Sequence, residues 1–449
     1  MPEVGFEPTR PCGHGILSAA SLPFLHSGLS ETIEGREGDN PAAVDAAGRI
    51  ELIRELCSFK GRWPGTDAER RASAFLVGRL KGMGRRVEVE PTYVHPEYAL
   101  AHALHCAIAI AGSLAAIALP PLGFGLVLIA ATSLYLDQNA RAYLLRRLFF
   151  RRASQNLVSP GPSPDAPARL YLVAHYDAAK TGYVFRPEMK RRARRLSERA
   201  RLLLGPYRLI FWGGMAPLLP VLGARMAGVD ATWLSVLQLI PTVLLVVALI
   251  LLIDIWLSEI VPGAYDNASG VAAVLSVAEA LDREPAEHLD VWVLLTGAEE
   301  CNAQGMQRFI RAHRRELDRA NTLFVNLDSV SDGTIAYQAS EGAIVSQAMD
   351  RRLVELCEAV ADADREGPNR YGARPVRNPF HTDALPPTTF GFRAISLSTV
   401  VDGVMPDYYH TAQDTPERVD AEALTHSVDF TLELVRALDR DVGRAGGAR

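Results

Sequence analysis

The residues best equipped for chemistry in this 449-residue chain are histidines and carboxylates placed at the ends of apolar runs. ARLYLVAH ends at His175, with Asp177 two positions on; HLDVWVLLT leads into Gly297-Ala298-Glu299-Glu300; TLFVNLD ends at Asp328. Asp266 in GAYDNASG and His410 in DYYHTAQDTPE come from loop-like segments. Zinc takes imidazole nitrogen and carboxylate oxygen, and a catalytic site also keeps a position open to water. Two ions a few ångströms apart need a shared carboxylate and about two further ligands each. Once one member of the glutamate pair is set aside as a proton acceptor, the remaining residues supply that number. Asp177 suits the partner that would fix the His175 tautomer.

Taken one at a time these residues say little. A histidine at a strand end is commonly structural, adjacent glutamates are commonly solvated, and Asp266 could cap a helix beginning near Ser269. Their joint placement at strand ends is what points to a site.

The elements that would position them follow from periodicity. Helical spacing begins at Ala46 and again at Asp67, stopping at Gly84, and VEVEP reads as a strand. Strands ARLYLVAH, HLDVWVLLT, TLFVNLD and FRAISLST alternate with helices expected over Gly270 to Leu281, Ala303 to Leu317, Ile344 to Ala363 and Ala421 to Leu438. That alternation predicts an α/β fold with a mainly parallel sheet and helices on both faces, in which reactive residues gather at the carboxyl ends of the strands.

Two stretches interrupt this soluble pattern. From Tyr98 to Leu136 there is no Asp, Glu, Lys or Arg, and Pro120-Pro121-Leu122-Gly123 divides the run into two halves, each long enough to cross a bilayer. A second pair covers Leu209 to Ala224 and Ala231 to Ile253. The expectation is two transmembrane hairpins, 98–136 and 209–257; buried core helices are usually shorter and carry a polar stripe. Arg141, Arg146, Arg147, Arg151 and Arg152 follow the first pair and RPEMKRRARRLSERAR precedes the second, whereas the two tight turns carry one basic residue, Arg225. The positive-inside rule then puts every soluble segment on the cytoplasmic side.

Composition narrows the class further. Nearly half the residues are apolar and the net charge is −5, with basic clusters confined to the flanks of apolar runs, so no nucleic-acid partner is implied. The five cysteines, Cys12, Cys57, Cys106, Cys301 and Cys357, have no paired spacing and read as free thiols of a reducing compartment. Residues 1–40 have neither signal-peptide pattern nor periodicity, and are expected to be disordered or the product of a miscalled start.

Together HYDA, GAYDNASGVAAVLSVAEAL, LLTGAEE, NLDSV and YYHTAQDTPE resemble the zinc aminopeptidase family known as peptidase family M28, in the family's order. The resemblance covers Ile50 to His95 and Arg169 to the end, so the peptidase domain would be assembled from 46–96, 141–207 and 258–440. It implies two Zn2+ ions, with His175 and Asp328 on one, Glu300 and His410 on the other, and Asp266 bridging. It also implies Glu299 as general base and Tyr409 as a phenol that polarises the scissile carbonyl, although Tyr408 is adjacent and a packing role is open for either. His381 and Asp383 fall where the family has a loop near substrate, with a surface-loop reading equally open. One departure stands out: the second apolar pair separates the HxD motif from Asp266.

The implied activity is that of a membrane-anchored di-zinc metallopeptidase, most readily an aminopeptidase, with a peptide substrate and the lipid bilayer as partners. The alternatives are a single-zinc glutaminyl-cyclase-like or other amide hydrolase, and a non-catalytic binding module of the same fold. A transporter is disfavoured by the scarcity of charge within the spans.

Overall fold

The computed structural model describes residues 46–200 and 205–447. The expectation for residues 1–40, and Cys12 with it, falls outside the described residues. The four other cysteines are all buried free thiols.

Among the described residues nine strands make one sheet: β1 (Glu88–Val94), β2 (Arg152–Ser159), β3 (Ala168–His175), β4 (Leu289–Thr296), β5 (Thr322–Leu327), β6 (Thr334–Glu341), β7 (Gln347–Ala348), β8 (Arg374–Asn378) and β9 (Arg393–Val400). Their order is β1-β2-β4-β3-β5-β9-β6-β7, with β8 beside β6. The centre, β4-β3-β5-β9, is parallel; β1-β2, β2-β4, β9-β6 and β6-β7 are antiparallel, so the sheet is mixed.

The central strands are apolar on both sides because both faces are covered. Along β3, Leu170, Leu172 and Ala174 join one core, while Tyr171 and Val173 join the other. The first core is completed by helices Ala46–Ser58, Ser269–Arg283 and Ala421–Gly447, and the second by Gln304–His313, whose Met306, Phe309 and Ile310 pack on the sheet. Tyr171 and Phe324 stack at 5.0 Å across neighbouring strands.

The helix expected from Ile344 begins instead at Arg351 and runs to Glu366. Asp350 caps it by accepting from the Leu353 N–H, and the residues before it form β7. A polar cap overrode the apolar spacing of Ile344 and Val345. Strands β2, β6 and β8 were also not anticipated as full strands; β2 contains Ser154, Gln155 and Asn156, which blur its alternation.

Among the described residues, four helices are long and apolar enough to cross a membrane: Tyr98–Ala115, Pro120–Gln138, Pro206–Met226 and Thr232–Leu257. The third starts at Pro206, ahead of the expected Leu209, and has a π-helical stretch at Leu209–Met215. All four pack together around Cys106, Ala109, Ala130, Leu134, Met215 and Leu245. A Cβ on Gly112 would stand 2.8 Å from the Gly123 carbonyl oxygen, so glycine is what lets the first two helices approach. Polar contacts join the pairs: Ser113 Oγ lies 2.7 Å from Thr242 Oγ1, and Gln238 Nε2 donates to the Ser113 carbonyl at 2.6 Å. The outer faces expose Leu128, Ile129, Trp233, Ile240, Val243 and Ile250, an apolar surface of a kind seldom left to water.

Candidate metal centre

Parallel strands β3, β4 and β5 end on one rim and deliver His175, the Glu299–Glu300 pair and Asp328 to it, as the sequence pattern predicts. The loop before helix Ser269–Arg283 adds Asp266, and the loop after β9 adds His410. Asp266 lies between the two imidazoles: Oδ1 is 3.2 Å from His175 Nε2 and Oδ2 is 2.8 Å from His410 Nε2. Asp328 Oδ1 is 3.7 Å and Glu299 Oε2 4.0 Å from His175 Nε2, while Glu300 Oε2 is 3.6 Å from His410 Nε2. Three donor groups result among the described residues, His175–Asp266–Asp328, Asp266–Glu300–His410 and His175–Glu299–Glu300, each with its donor atoms within 4.8 Å of one another, and Asp266 belongs to the first two.

This arrangement is fixed from behind. Asp414 accepts from the N–H groups of Tyr265 (2.7 Å) and Asp266 (3.2 Å). Asn267 donates to the Leu327 carbonyl and accepts from Gly270 and Ser329 N–H, stapling the Asp266 loop to the end of β5 next to Asp328. A Cβ on Gly270 would stand 2.3 Å from both Asn267 Oδ1 and the Leu327 carbonyl, so that staple requires glycine. Asp177 accepts from the N–H groups of Glu299 (3.1 Å) and Glu300 (3.0 Å). Its distance to His175 Nδ1 is 3.5 Å, so its hydrogen bonds go to the glutamate backbone rather than the imidazole. Ala298, Ser329 and His410 have positive φ values of 58°, 63° and 54°, a strained conformation typical of functional loops.

The electrostatics call for a cation. Asp177, Asp266, Glu299, Glu300 and Asp328 are crowded together out of water, and among the described residues their only ion-pair partners are His175 and His410. Burial, together with the charges of Asp328, Asp383 and Asp177, pushes the Glu299 carboxyl well above its ordinary value despite His175. Burial and Asp266 do the same to Glu300. Burial would raise Asp266 too, but hydrogen bonds from His175 and His410 hold it below the usual carboxylate range. Burial disfavours a charged His175, yet Asp177, Asp266 and Asp328 outweigh it and raise the imidazole's pKa. Such a nest of carboxylates is costly unless compensated. Glu300 Oε1 is buried without a hydrogen-bond partner, and the N and O donors are of the kind that holds zinc. The residues present fit metal.

The two adjacent tyrosines separate cleanly. Tyr408 Oη donates to Asp332 at 2.5 Å, away from the cluster. The Tyr409 ring stacks on His410 at 4.0 Å, and burial, followed by Asp266 and Glu300, raises its phenol far above the ordinary value, so it keeps its proton. Asp383 is fully buried and accepts from Thr296 Oγ1 at the end of β4, which excludes a surface-loop role. Burial pushes its carboxyl up to about 7. His381 is half-buried beside it.

Sequence reasoning missed Asp414, although it stands in the quoted YYHTAQDTPE, and Glu69, a buried carboxylate bonded to Ser154 Oγ and the Gly65 N–H. No spacing rule marks Glu69, whose partners come from elsewhere on the chain.

Comparison with known proteins bears on this geometry. Residues 253–435 match the family described as Peptidase family M28. That segment holds Asp266, Glu299, Glu300, Asp328 and His410, while His175 and Asp177 lie ahead of the second apolar pair. No curated protein matches the sequence. Among solved structures, the chain is similar to BSAP, a zinc aminopeptidase from Bacillus subtilis, at 12% identity over 87% of this chain and 94% of that one, with a TM-score of 0.50. A glutaminyl cyclase from Bacteroides thetaiotaomicron, bound to N-acetylhistamine, has 14% identity over 87% and 97%, TM-score 0.49. A leucine aminopeptidase precursor from the same organism has 14% identity over 87% and 97%, TM-score 0.48. At such identity the likeness speaks for the fold, which is of the zinc aminopeptidase type. Residues 253–435 thus match peptidase family M28, within a chain whose fold is of the zinc aminopeptidase type.

Proposed function

We propose that the chain is a membrane-anchored di-zinc metallopeptidase that removes residues from peptide N termini, an aminopeptidase working at the cytoplasmic face. The observation that carries the reading is the position of Asp266, shared by two three-donor groups. His175 and Asp328 would complete one metal position, and Glu300 and His410 the other. Bound there, a pair of zinc ions would lower the pKa of a water and polarise the scissile carbonyl. Glu299, which would be left outside both sets, accepts the proton and returns it to the leaving amine, and burial, by raising its pKa, makes it the stronger base. Asp177 aims the glutamate pair by holding both backbone N–H groups. Tyr409, protonated and against His410, donates to the developing oxyanion.

Membrane anchoring is supported by the four apolar helices and their exposed outer faces. The cytoplasmic side follows from the arginines that flank them. A peptide-library assay on detergent-purified protein, with zinc chelated and then restored, tests the reading. Expected is release of N-terminal residues that stops on chelation and returns with zinc; internal cleavage alone, or activity indifferent to chelation, would overturn it.

A further inference from the structure

Both apolar pairs leave the sheet from the rim that carries the metal-binding cluster. The first pair is inserted between the end of β1 and the start of β2, where Val94 and Arg152 are register partners. Strand β2 runs antiparallel to β4, with Leu157 opposite Leu295 and Ser159 opposite Val293, so the start of β2 lies toward the Thr296 end of β4. The second pair is inserted between Asp177, just past the end of β3, and Asp266. All four helix ends nearest the domain therefore converge on the rim of the site.

The junctions are stitched directly to that rim. Lys180 pairs with Ile260 as a short antiparallel bridge, and Val261 N–H donates to the Ala179 carbonyl at 2.9 Å, so the stem of the second pair begins beside Asp177. Trp256 Nε1 donates to Glu97 Oε2 at 3.0 Å, joining the end of the fourth helix to the start of the first. Arg146, following the second helix, donates to the Cys301 carbonyl at 2.7 Å, next to Glu300. An aromatic side chain of these stems also reaches the cluster: Phe185 meets the His410 ring at 4.6 Å.

Once the four helices cross a bilayer, the catalytic rim faces the membrane rather than the bulk solvent. The helix Pro187–Ala200 lies in the same junction, with exposed Arg192 and Arg195 suited to anionic headgroups. Its Lys190 Nζ donates to the carbonyls of Asp407 (3.1 Å) and Tyr409 (2.5 Å), so this basic helix directly supports the loop that carries His410.

We infer that the substrate is a membrane-tethered polypeptide whose free N terminus lies within a few residues of the bilayer surface. The inference rests on the metallopeptidase reading and adds to it where the scissile bond must be. Reach makes the distinction measurable. Five residues span at most ~17 Å fully extended, whereas a catalytic domain of about 300 residues is about 50 Å across. A site on the far side of the domain could not be reached by so short a tether.

The test uses the full chain reconstituted in vesicles containing anionic lipid. Peptides with one N-terminal sequence are given a C-terminal acyl anchor through linkers of about five or about thirty residues, at equal surface density, beside an untethered form. The expected result is that the short-tethered peptide is cleaved at least as fast as the long-tethered one. Cleavage of the long-tethered and untethered peptides with the short one at least tenfold slower overturns the membrane-facing site while leaving the peptidase reading intact. Absence of cleavage in all three overturns the peptidase reading, and this inference with it.

Discussion

Arg146 Nη1 donates to the carbonyl oxygen of Cys301 at 2.7 Å, linking the end of the first apolar pair to the loop that carries Glu299 and Glu300. Its other nitrogens bind the Asp137 carboxylate at 2.8 and 2.6 Å, and Asn302 Nδ2 reaches the same carboxylate at 3.1 Å. Arg146 and Asp137 are both fully buried. The apolar helices are thus part of what shapes the loop that carries Glu299 and Glu300. Arg146→Met removes the guanidinium from the buried Asp137, leaving it only Asn302 and His102, so unfolding should become easier by about 3–5 kcal/mol. The double variant R146M/D137L should recover much of that stability in a thermal melt yet keep a lowered kcat, because the Cys301 contact is still missing. Full recovery of kcat would assign Arg146 to folding alone.

The tyrosine pair gives a local contrast. Tyr409→Phe should lower kcat by roughly 10²–10³-fold, the usual cost of an oxyanion donor. Tyr408→Phe loses only the bond to Asp332 and should leave kcat nearly unchanged, with a small drop in melting temperature. Steady-state kinetics of the two variants side by side checks the assignment.

Asp177→Asn should act on both metal and rate. An amide can accept from one of the two glutamate N–H groups but presents a donor to the other. A roughly 10–100-fold loss in metal affinity or activity is expected, as for other residues that orient ligands. Zinc titration followed by activity at saturating zinc separates the two effects.

Glu69 predicts a pH dependence of stability. Burial, then the charge of Asp177, pushes its carboxyl up to about 8 from an ordinary 4.5. The folded state therefore holds a proton that the unfolded chain releases. Below about pH 4.5 both states are protonated and the group is neutral in its effect; as pH rises toward 8 stability falls, and above 8 the penalty is complete. Denaturant melts of metal-free protein should show this decline, and Glu69→Gln should make it shallower, the remainder coming from Asp383, Asp414 and Glu341, which burial raises in the same direction.

Much of the site was legible because its chemistry is local to strand ends. His175, Glu299, Glu300 and Asp328 follow apolar runs that could only be strands, and the rim rule places them together. What stayed hidden depends on long-range contact. Asp414 matters because its loop folds back on the Tyr265 and Asp266 N–H groups, and Arg146 because the chain returns past Cys301. Neither has a spacing signature. The helix start at Arg351 was missed for a different reason: apolar periodicity at Ile344 and Val345 spoke for helix, but the Asp350 cap decided the boundary.

The most direct test of the central claim is the zinc content of purified protein, measured by mass spectrometry on wild type and Glu299→Gln together with peptide hydrolysis. Two zinc ions per chain are expected in both, and hydrolysis only in the wild type. A content of one per chain, or a Glu299→Gln variant that still turns over, would contradict it.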